Sequence, residues 1–127
     1  MDMFNAFNEA GDLVQNAYLL YEPLLEANYR LFHYIGREDA NCGWTGVLAF
    51  LKIIRSRYQD AFIAAPDLPW WTSPDEYADV TTVRAIGPGA GNMTYMLVGG
   101  AGHFVLKDQP VLTKMAVDRW IENKPWF

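Results

Sequence analysis

The spacing of apolar residues along the chain predicts several helices. Near the N-terminus apolar positions recur at helical intervals, with a break at Gly11-Asp12 and a proline, Pro23, that predicts a kink or a restart. Later in the chain, Asp108 suits the N-cap of a last helix and Pro110 its first turn. The predicted helices cover 2–28, 44–58 and about 109–122.

Runs of β-branched and aromatic residues predict strands. The run 29–35 (YRLFHYI) is apolar at nearly every position, which is typical of a strand buried on both faces in a parallel sheet. The runs 80–86 and 93–98 are separated by the glycine-rich 87–91, which predicts a hairpin or neighbouring strands. The glycines are not followed by a lysine or a helix start, so a phosphate-binding loop is disfavoured there. Helices alternating with strands predict an α/β fold of parallel strands with flanking helices.

Composition narrows the class of protein. The chain has 127 residues, of which 51% are hydrophobic and 20% charged, as expected of one folded domain or part of one. Its formal net charge of −5 argues against nucleic acid or an anionic membrane as a partner. The longest apolar run is far shorter than the roughly 20 residues that cross a bilayer. The first residues lack the basic and apolar regions of a secretory signal, and they are typical of the middle of a domain.

An acid and a histidine each follow a predicted strand. Asp39 lies just past the first strand and His103 just past the last, 103 − 39 = 64 residues later. The carboxyl ends of strands in an open α/β sheet are where ligands bind. In the order Ser…Asp…His of α/β-hydrolases, such a histidine acts as general base and the aspartate orients it. The small residues 99–102 (GGAG) let the chain turn sharply before His103.

Two long motifs carry a family resemblance. Residues 36–46 (GREDANCGWTG) resemble the acid loop of fungal-type serine carboxypeptidases, Gly-Asp-x-Asp-x-x-Cys-Asn-Trp-x-Gly. Residues 91–110 (GNMTYMLVGGAGHFVLKDQP) resemble that family's histidine motif, in which Gly-Ala-Gly-His-x-Val-Pro is followed by Asp-Gln-Pro. Residues 115–120 (MAVDRW) are similar to its terminal helix, and 7–12 (FNEAGD) and 64–66 (AAP) with Trp70 also fit.

The resemblance implies roles for individual residues. Asp39 and His103 would be the acid and base of a catalytic triad, and Cys42 and Phe104 would lie beside the substrate pocket. It implies a peptide or protein substrate, no cofactor and no metal. It also implies a vacuolar, lysosomal or secreted location. The expected fold is the C-terminal portion of an α/β-hydrolase domain, over 1–127.

The chain departs from the family pattern at several positions. Arg37 stands at the first aspartate of the acid loop and Gly43 at its asparagine, while Leu106 replaces the proline after the histidine. Arg37 would alter the electrostatics of its loop. Phe104 stands where methionine is common and would reshape substrate preference.

The nucleophile is the largest departure. The two serines, Ser56 and Ser73, lie in Ile-Arg-Ser-Arg and Thr-Ser-Pro, and neither has the Gly-x-Ser-x-Gly context of a nucleophile elbow. In the family, the serine, the oxyanion hole and the carboxylate-binding segment lie upstream of the region matched here. We therefore expect the nucleophile half to be absent from this chain, and a missing N-terminal half or large chain to be its partner.

Three functions remain open from the sequence. The first is a serine-type carboxypeptidase to which this chain supplies the aspartate and histidine. The second keeps the fold but changes the chemistry, as in family members that are acyltransferases or hydroxynitrile lyases. The third is an inactive truncated remnant or an interaction module, whose parallel strands would expose an unpaired edge.

Several other residues have a structural interpretation as well as a functional one. Glu38 is the rival of Asp39 within the acid loop, and His33, inside a strand, is expected to be structural. Cys42 has no partner for an internal disulfide and is expected to be a buried free thiol. Asn92 begins an Asn-Met-Thr sequon, a glycosylation candidate. Trp70 and Trp71 are expected to pack under their loop, and the tail with Trp120, Trp126 and Phe127 to dock on the sheet.

Overall fold

The computed structural model describes residues 3–11, 16–70 and 81–127. The predicted break at Asp12, the start of the strand at Val80, and Trp71 and Ser73 lie outside the described residues. The helices are α1 Met3–Ala10, α2 Tyr18–Glu26, α3 Trp44–Lys52, α4 Gln59–Ala64, α5 Val105–Asp108 and α6 Pro110–Ile121. The strands are β1 Leu31–Gly36, β2 Leu68–Pro69, β3 Thr82–Ile86 and β4 Met93–Val98. In the described ranges, none of the helices has the length and apolar character needed to span a membrane.

The strands form one mixed sheet in the order β1-β4-β3-β2. β1 lies parallel to β4, with Leu31 opposite Met93 and Gly36 opposite Val98. β3 is antiparallel to β4 and β2 is antiparallel to β3. The α/β class is confirmed and so is the hairpin, while within the described ranges parallel pairing is confined to β1 and β4. A connection as short as 87–91 cannot make a parallel crossover, which needs about a dozen residues or more.

β4 is the centre of the core. All six of its residues are buried, and successive side chains point to opposite faces of the sheet. Met96 and Val98 pack on one face with residues from α6 and the C-terminal tail. Tyr95 and Leu97 pack on the other face with residues of α2, α3 and α4. The strand that leads to His103 is therefore held from both sides.

β1 is less buried than the sequence predicts. Leu31, Phe32 and His33 are half-buried and Tyr34 is exposed, so the strand is not covered on both faces. The reason is its position, because among the described residues β1 pairs only with β4 and forms one edge of the sheet. Its hydrogen-bonding groups on the other side have no strand partner within the ranges described.

The long helix predicted over 44–58 is interrupted. α3 ends at Lys52 and α4 begins at Gln59. Between them, the amide of Arg55 donates to Glu22 Oε1 (3.1 Å) and the amide of Arg57 donates to Glu26 Oε1 (3.0 Å). The carboxylates of α2 accept hydrogen bonds from amides that would bond to carbonyls within a continuous helix. This tertiary contact therefore prevails over the helical spacing of apolar residues.

Two further expectations concern a proline and a helix cap. Of the kink or restart predicted at Pro23, the restart is excluded because α2 runs through Pro23, and the kink stays a prediction; the proline has no amide to bond the carbonyl of Leu19, an exposed residue that water can reach. Gln109 is the N-cap of α6, not Asp108, and it makes no side-chain cap bond. Pro110 does occupy the first turn, as predicted.

His33 lies between aromatic rings on the α2 and α3 side of the sheet. Its ring centroid is 5.4 Å from that of Tyr21 and 6.3 Å from that of Phe50, and its Nδ1 has no hydrogen-bond partner. This is the packing expected of a structural histidine. Burial lowers the pKa of His33 below its ordinary value of 6.5.

We expect His33 to make the fold less stable in acid. With a lowered pKa in the fold, the unfolded chain binds the proton first, so this contribution to stability is present above about pH 6.5 and is lost as the pH falls below it. Urea unfolding at pH 7.5 and 5.5 measures the effect. In His33→Phe the difference in unfolding free energy between the two pH values should shrink; an unchanged difference would contradict the assignment.

Candidate active site

The parallel pairing of β1 and β4 brings two loops to one edge of the sheet. The ladder ends at the pair Gly36 and Val98, and the amide of Arg37 extends it by donating to the Val98 carbonyl (2.8 Å). At Gly36 the loops touch, because a Cβ there would lie 2.2 Å from the Ala101 carbonyl oxygen. Only glycine permits this approach. The loop after β1 carries Asp39 and the loop after β4 carries His103.

Asp39 and His103 are in direct contact. Asp39 Oδ2 lies 3.0 Å from His103 Nδ1. The other oxygen, Oδ1, accepts the amides of Asn41 (2.9 Å) and Cys42 (2.8 Å), so both oxygens of this buried carboxyl are bonded. The pair predicted from the sequence is thus brought together across 64 residues.

The surroundings of Asp39 favour its ionised form. The amide of Cys42 is the main group that holds the pKa of Asp39 below its ordinary value of 3.8; burial opposes the shift, and His103 and the amide of Asn41 add to it. An ionised carboxylate only accepts hydrogen bonds. His103 Nδ1 must therefore carry the proton, which leaves Nε2 of the neutral ring as the acceptor.

A cavity of about 380 Å³ opens beside this pair. The His103 side chain is 49% exposed, so its ring is accessible from solvent. Phe104 packs edge-on against that ring, with centroids 5.3 Å apart. The cavity is lined by Tyr34, Ile35, Asp39, Cys42, His103, Phe104, Val105, Leu106 and Lys107. Of these, Tyr34 and Lys107 stand at positions to which neither motif assigns a residue, so the sequence does not place them at the cavity.

Cys42 lines the cavity as well, but it is exposed. The expectation of a buried thiol is wrong: the amide of Cys42 donates to Asp39, but the residue lies on the surface of the acid loop. The ligand atoms of Asp39, Cys42 and His103 lie within 4.8 Å of one another, close enough to hold a metal ion. Two of those groups already bond to each other, so the geometry also has an explanation without a metal.

Glu38 and Asp108 have roles that the motifs do not reveal. Glu38, the rival of Asp39, turns its Oε2 to the amide of Ala101 (2.8 Å), so the histidine pairs with Asp39. Asp108, expected as an N-cap, instead accepts the amide of Gly102 (2.8 Å). Both carboxylates bind the backbone of the loop that carries His103.

The remaining predicted residues lie away from the cavity. No serine lines it among the described residues, and Ser56 Oγ accepts the amide of Tyr58 (3.3 Å) instead. Asn92 is half-buried in the turn between β3 and β4, where its amide donates to the Ile86 carbonyl (2.7 Å); its glycosylation stays a prediction. Trp70 is buried edge-on against Trp126, as expected of core packing. The tail docks on the sheet through Trp120 and Trp126, which both pack against Phe32, but Phe127 is 66% exposed.

The sequence model of the serine carboxypeptidase family matches residues 3–123. The chain belongs to the serine carboxypeptidase family. This confirms the resemblance seen in the two motifs and agrees with an α/β fold.

Individual serine carboxypeptidases and related proteins show the same likeness. Carboxypeptidase Y homolog A of Ajellomyces capsulatus is 32% identical over 123 residues, which cover 95% of this chain and 22% of that protein. A vacuolar serine-type carboxypeptidase of Saccharomyces cerevisiae is 28% identical over 99% of this chain and 24% of its own length. Serine carboxypeptidase-like 48 of Arabidopsis thaliana is 26% identical over 89% of this chain and 21% of its own length. The chain therefore spans about a fifth to a quarter of these relatives.

Proposed function

We propose that this chain supplies the acid and the base of a serine-type carboxypeptidase, which removes amino acids from the C-terminal ends of peptides. The observation that carries the proposal is the 3.0 Å contact between Asp39 Oδ2 and His103 Nδ1 beside an open cavity. Family membership supports the reaction class. A serine on protein outside this sequence supplies the nucleophile.

The geometry suits the proton transfers of this reaction. His103 Nε2 takes the proton of the serine hydroxyl as its oxygen bonds to the carbonyl carbon of the last peptide bond. The C–N bond then breaks, and the departing amino acid leaves with the proton from His103. Water attacks the resulting ester, gives a proton to His103, and the serine oxygen recovers it as the peptide acid leaves. Asp39 orients the ring and stabilises its cationic form throughout.

The edge of the sheet supports the proposal of a partner segment. β1 pairs on one side only among the described residues, and it has exposed aromatic side chains of its own: Tyr34 lies in the strand at 37% exposure and Tyr29 lies two residues before it at 63%. A strand added beside β1 would pair its free groups and cover such side chains. We propose that the serine-bearing segment packs there. The vacuolar relative favours a vacuolar or secreted setting for the assembled enzyme.

Reconstitution tests this function. The chain is co-expressed with the part of the Ajellomyces capsulatus relative that lies outside the match, and release of C-terminal amino acids from a blocked dipeptide is measured. We expect activity that requires both parts and that falls by at least about 10³-fold in His103→Ala. His33→Phe is the matched control and should stay active.

Two outcomes would count against the proposal. Activity that does not depend on His103 would exclude it as the base. A chain that stays a soluble, cooperatively folding monomer by size-exclusion chromatography, and that neither binds nor activates the added segment, would favour an interaction module instead.

A further inference from the structure

Glu38 binds the loop that carries His103 at both backbone groups of one residue. The amide of Glu38 donates to the Ala101 carbonyl (3.0 Å), and the amide of Ala101 donates to Glu38 Oε2 (2.8 Å). Ala101 is buried and stands two residues before His103. The backbone amide and the side chain of one residue of the acid loop thus fix residues 99–103, called the base loop below, just ahead of the imidazole.

The base loop needs hydrogen bonds from other parts of the chain because its own small residues provide little side-chain packing. It follows the end of the β1–β4 ladder and consists of small residues, with Gly100 at φ +66°. Glycine segments have the largest backbone freedom to lose, and they offer no side chains to pack. The amides here are held by side chains from elsewhere: Gly99 by Thr81 Oγ1 (3.2 Å), Ala101 by Glu38 and Gly102 by Asp108 Oδ2 (2.8 Å).

Among these partners, Glu38 alone is the direct neighbour of Asp39. Asp39 contacts the ring of His103, and Glu38 holds the backbone just before it. Because the two residues are adjacent in the chain, they move as one short segment. A bond from a backbone amide to a carboxylate is charge-assisted and stronger than a neutral one. The 3.0 Å contact between Asp39 and His103 is thus supported by a second contact between the same two loops.

We propose that Glu38 is a positioning residue for His103. Through the amide of Ala101 it holds the imidazole with Nδ1 facing Asp39 and Nε2 facing the cavity, and it touches neither the substrate nor the reacting atoms. This inference rests on the proposed function, in which His103 is the base. It also separates the roles of two adjacent acids, Asp39 acting on the ring and Glu38 on the loop.

The test uses the full chain of 127 residues, labelled with ¹⁵N-histidine and uniformly with ¹⁵N, and needs no activity. In the wild type we expect the His103 nitrogens to report the Nδ1–H tautomer and the Ala101 amide to exchange slowly. Glu38→Ala should speed exchange at Ala101 by about 10- to 100-fold, the worth of one lost charge-assisted bond. It should also shift His103 toward a mixture of tautomers.

The controls separate positioning from general stability. Glu38→Gln keeps an acceptor oxygen and should restore most of the tautomer signal. Glu38→Asp, whose carboxylate is one methylene further from the Ala101 amide, should weaken both signals and carries the test should Glu38→Ala fail to fold. Glu9→Gln, on the exposed surface of α1, should change neither signal. Urea unfolding of each variant measures the global stability, whose loss would change both the Ala101 exchange rate and the His103 tautomer.

Each outcome has one meaning. A change at Ala101 with no change in the His103 tautomer makes Glu38 a loop-stabilising residue only and overturns the inference. No change at either residue overturns it as well. If His103 of the wild type shows no preference for the Nδ1–H tautomer, the Asp39–His103 contact is refuted, and with it the proposed function. If the wild type shows that preference and the Glu38 variants keep it, only the role of Glu38 is refuted and the proposed function stands.

Discussion

Replacing Asp39 with asparagine should lower kcat of the reconstituted peptidase by about 10³- to 10⁴-fold with little change in KM. The two amides of Asn41 and Cys42 fix an oxygen at the Oδ1 position, so the asparagine carbonyl takes that place. Its NH₂ group then faces His103 Nδ1 and forces that nitrogen to accept. The proton moves to Nε2, which can no longer take one from the serine. Steady-state kinetics on a blocked dipeptide measure the loss.

The same substitution on a surface aspartate is the matched control. Asp60→Asn, at an exposed position of α4, should keep kcat within about 3-fold of the wild type, as expected of a surface change of small energy. A loss of activity in Asp39→Asn that is equally small would show that Asp39 does not orient the base. If the loss of activity in Asp39→Asn came with a large fall in the free energy of unfolding, disruption of the loop would explain it instead.

Replacing Trp126 with alanine should destabilise the chain by about 3–5 kcal/mol, the usual cost of deleting a large buried aromatic side chain. Trp126 is 6% exposed and packs against Trp70 and Phe32 on one face of the sheet. Its Nε1 donates to the Ala90 carbonyl (2.8 Å) at the turn before β4. Alanine leaves a cavity under the strand that leads to His103. Urea unfolding monitored by circular dichroism measures the change.

Trp126→Phe separates packing from the hydrogen bond. Phenylalanine keeps most of the apolar volume but loses the bond, which is worth about 1 kcal/mol. The Ala90 carbonyl still accepts Thr94 Oγ1 (2.6 Å), so it is not left unpaired. We expect Trp126→Phe to cost less than half as much as Trp126→Ala. Equal costs for the two variants would mean that packing of the tail contributes little.

The core elements near the site follow from short-range patterns. β4 and α6 are found within a residue or two of the predicted bounds, because their apolar spacing and turn residues are local signals. Asp39 and His103 are found together because both follow strands that turn out to be parallel neighbours. Here the local pattern and the tertiary structure agree.

Two features that sequence reasoning missed, the end of the predicted helix and the edge position of β1, depend on contacts between distant residues. The carboxylates of Glu22 and Glu26 end the helix predicted over 44–58, and no local spacing encodes that contact. At shorter range, Asp108 has the composition of an N-cap but binds Gly102, and Cys42 lies exposed on the acid loop. The burial of β1 was overestimated because the sequence reveals its apolar character but not which strands lie beside it.

The pairing of β1 with β4 has a consequence for how the site forms in time. Leu31 and Met93 are paired although 93 − 31 = 62 residues separate them along the chain. Such a contact must overcome the entropy of closing a long loop, and contacts of this kind slow folding. The hairpin of β3 and β4 joins near neighbours and can form early. We therefore expect Asp39 and His103 to meet late in folding, after the hairpin has formed, so that partly folded chains carry both residues without the site.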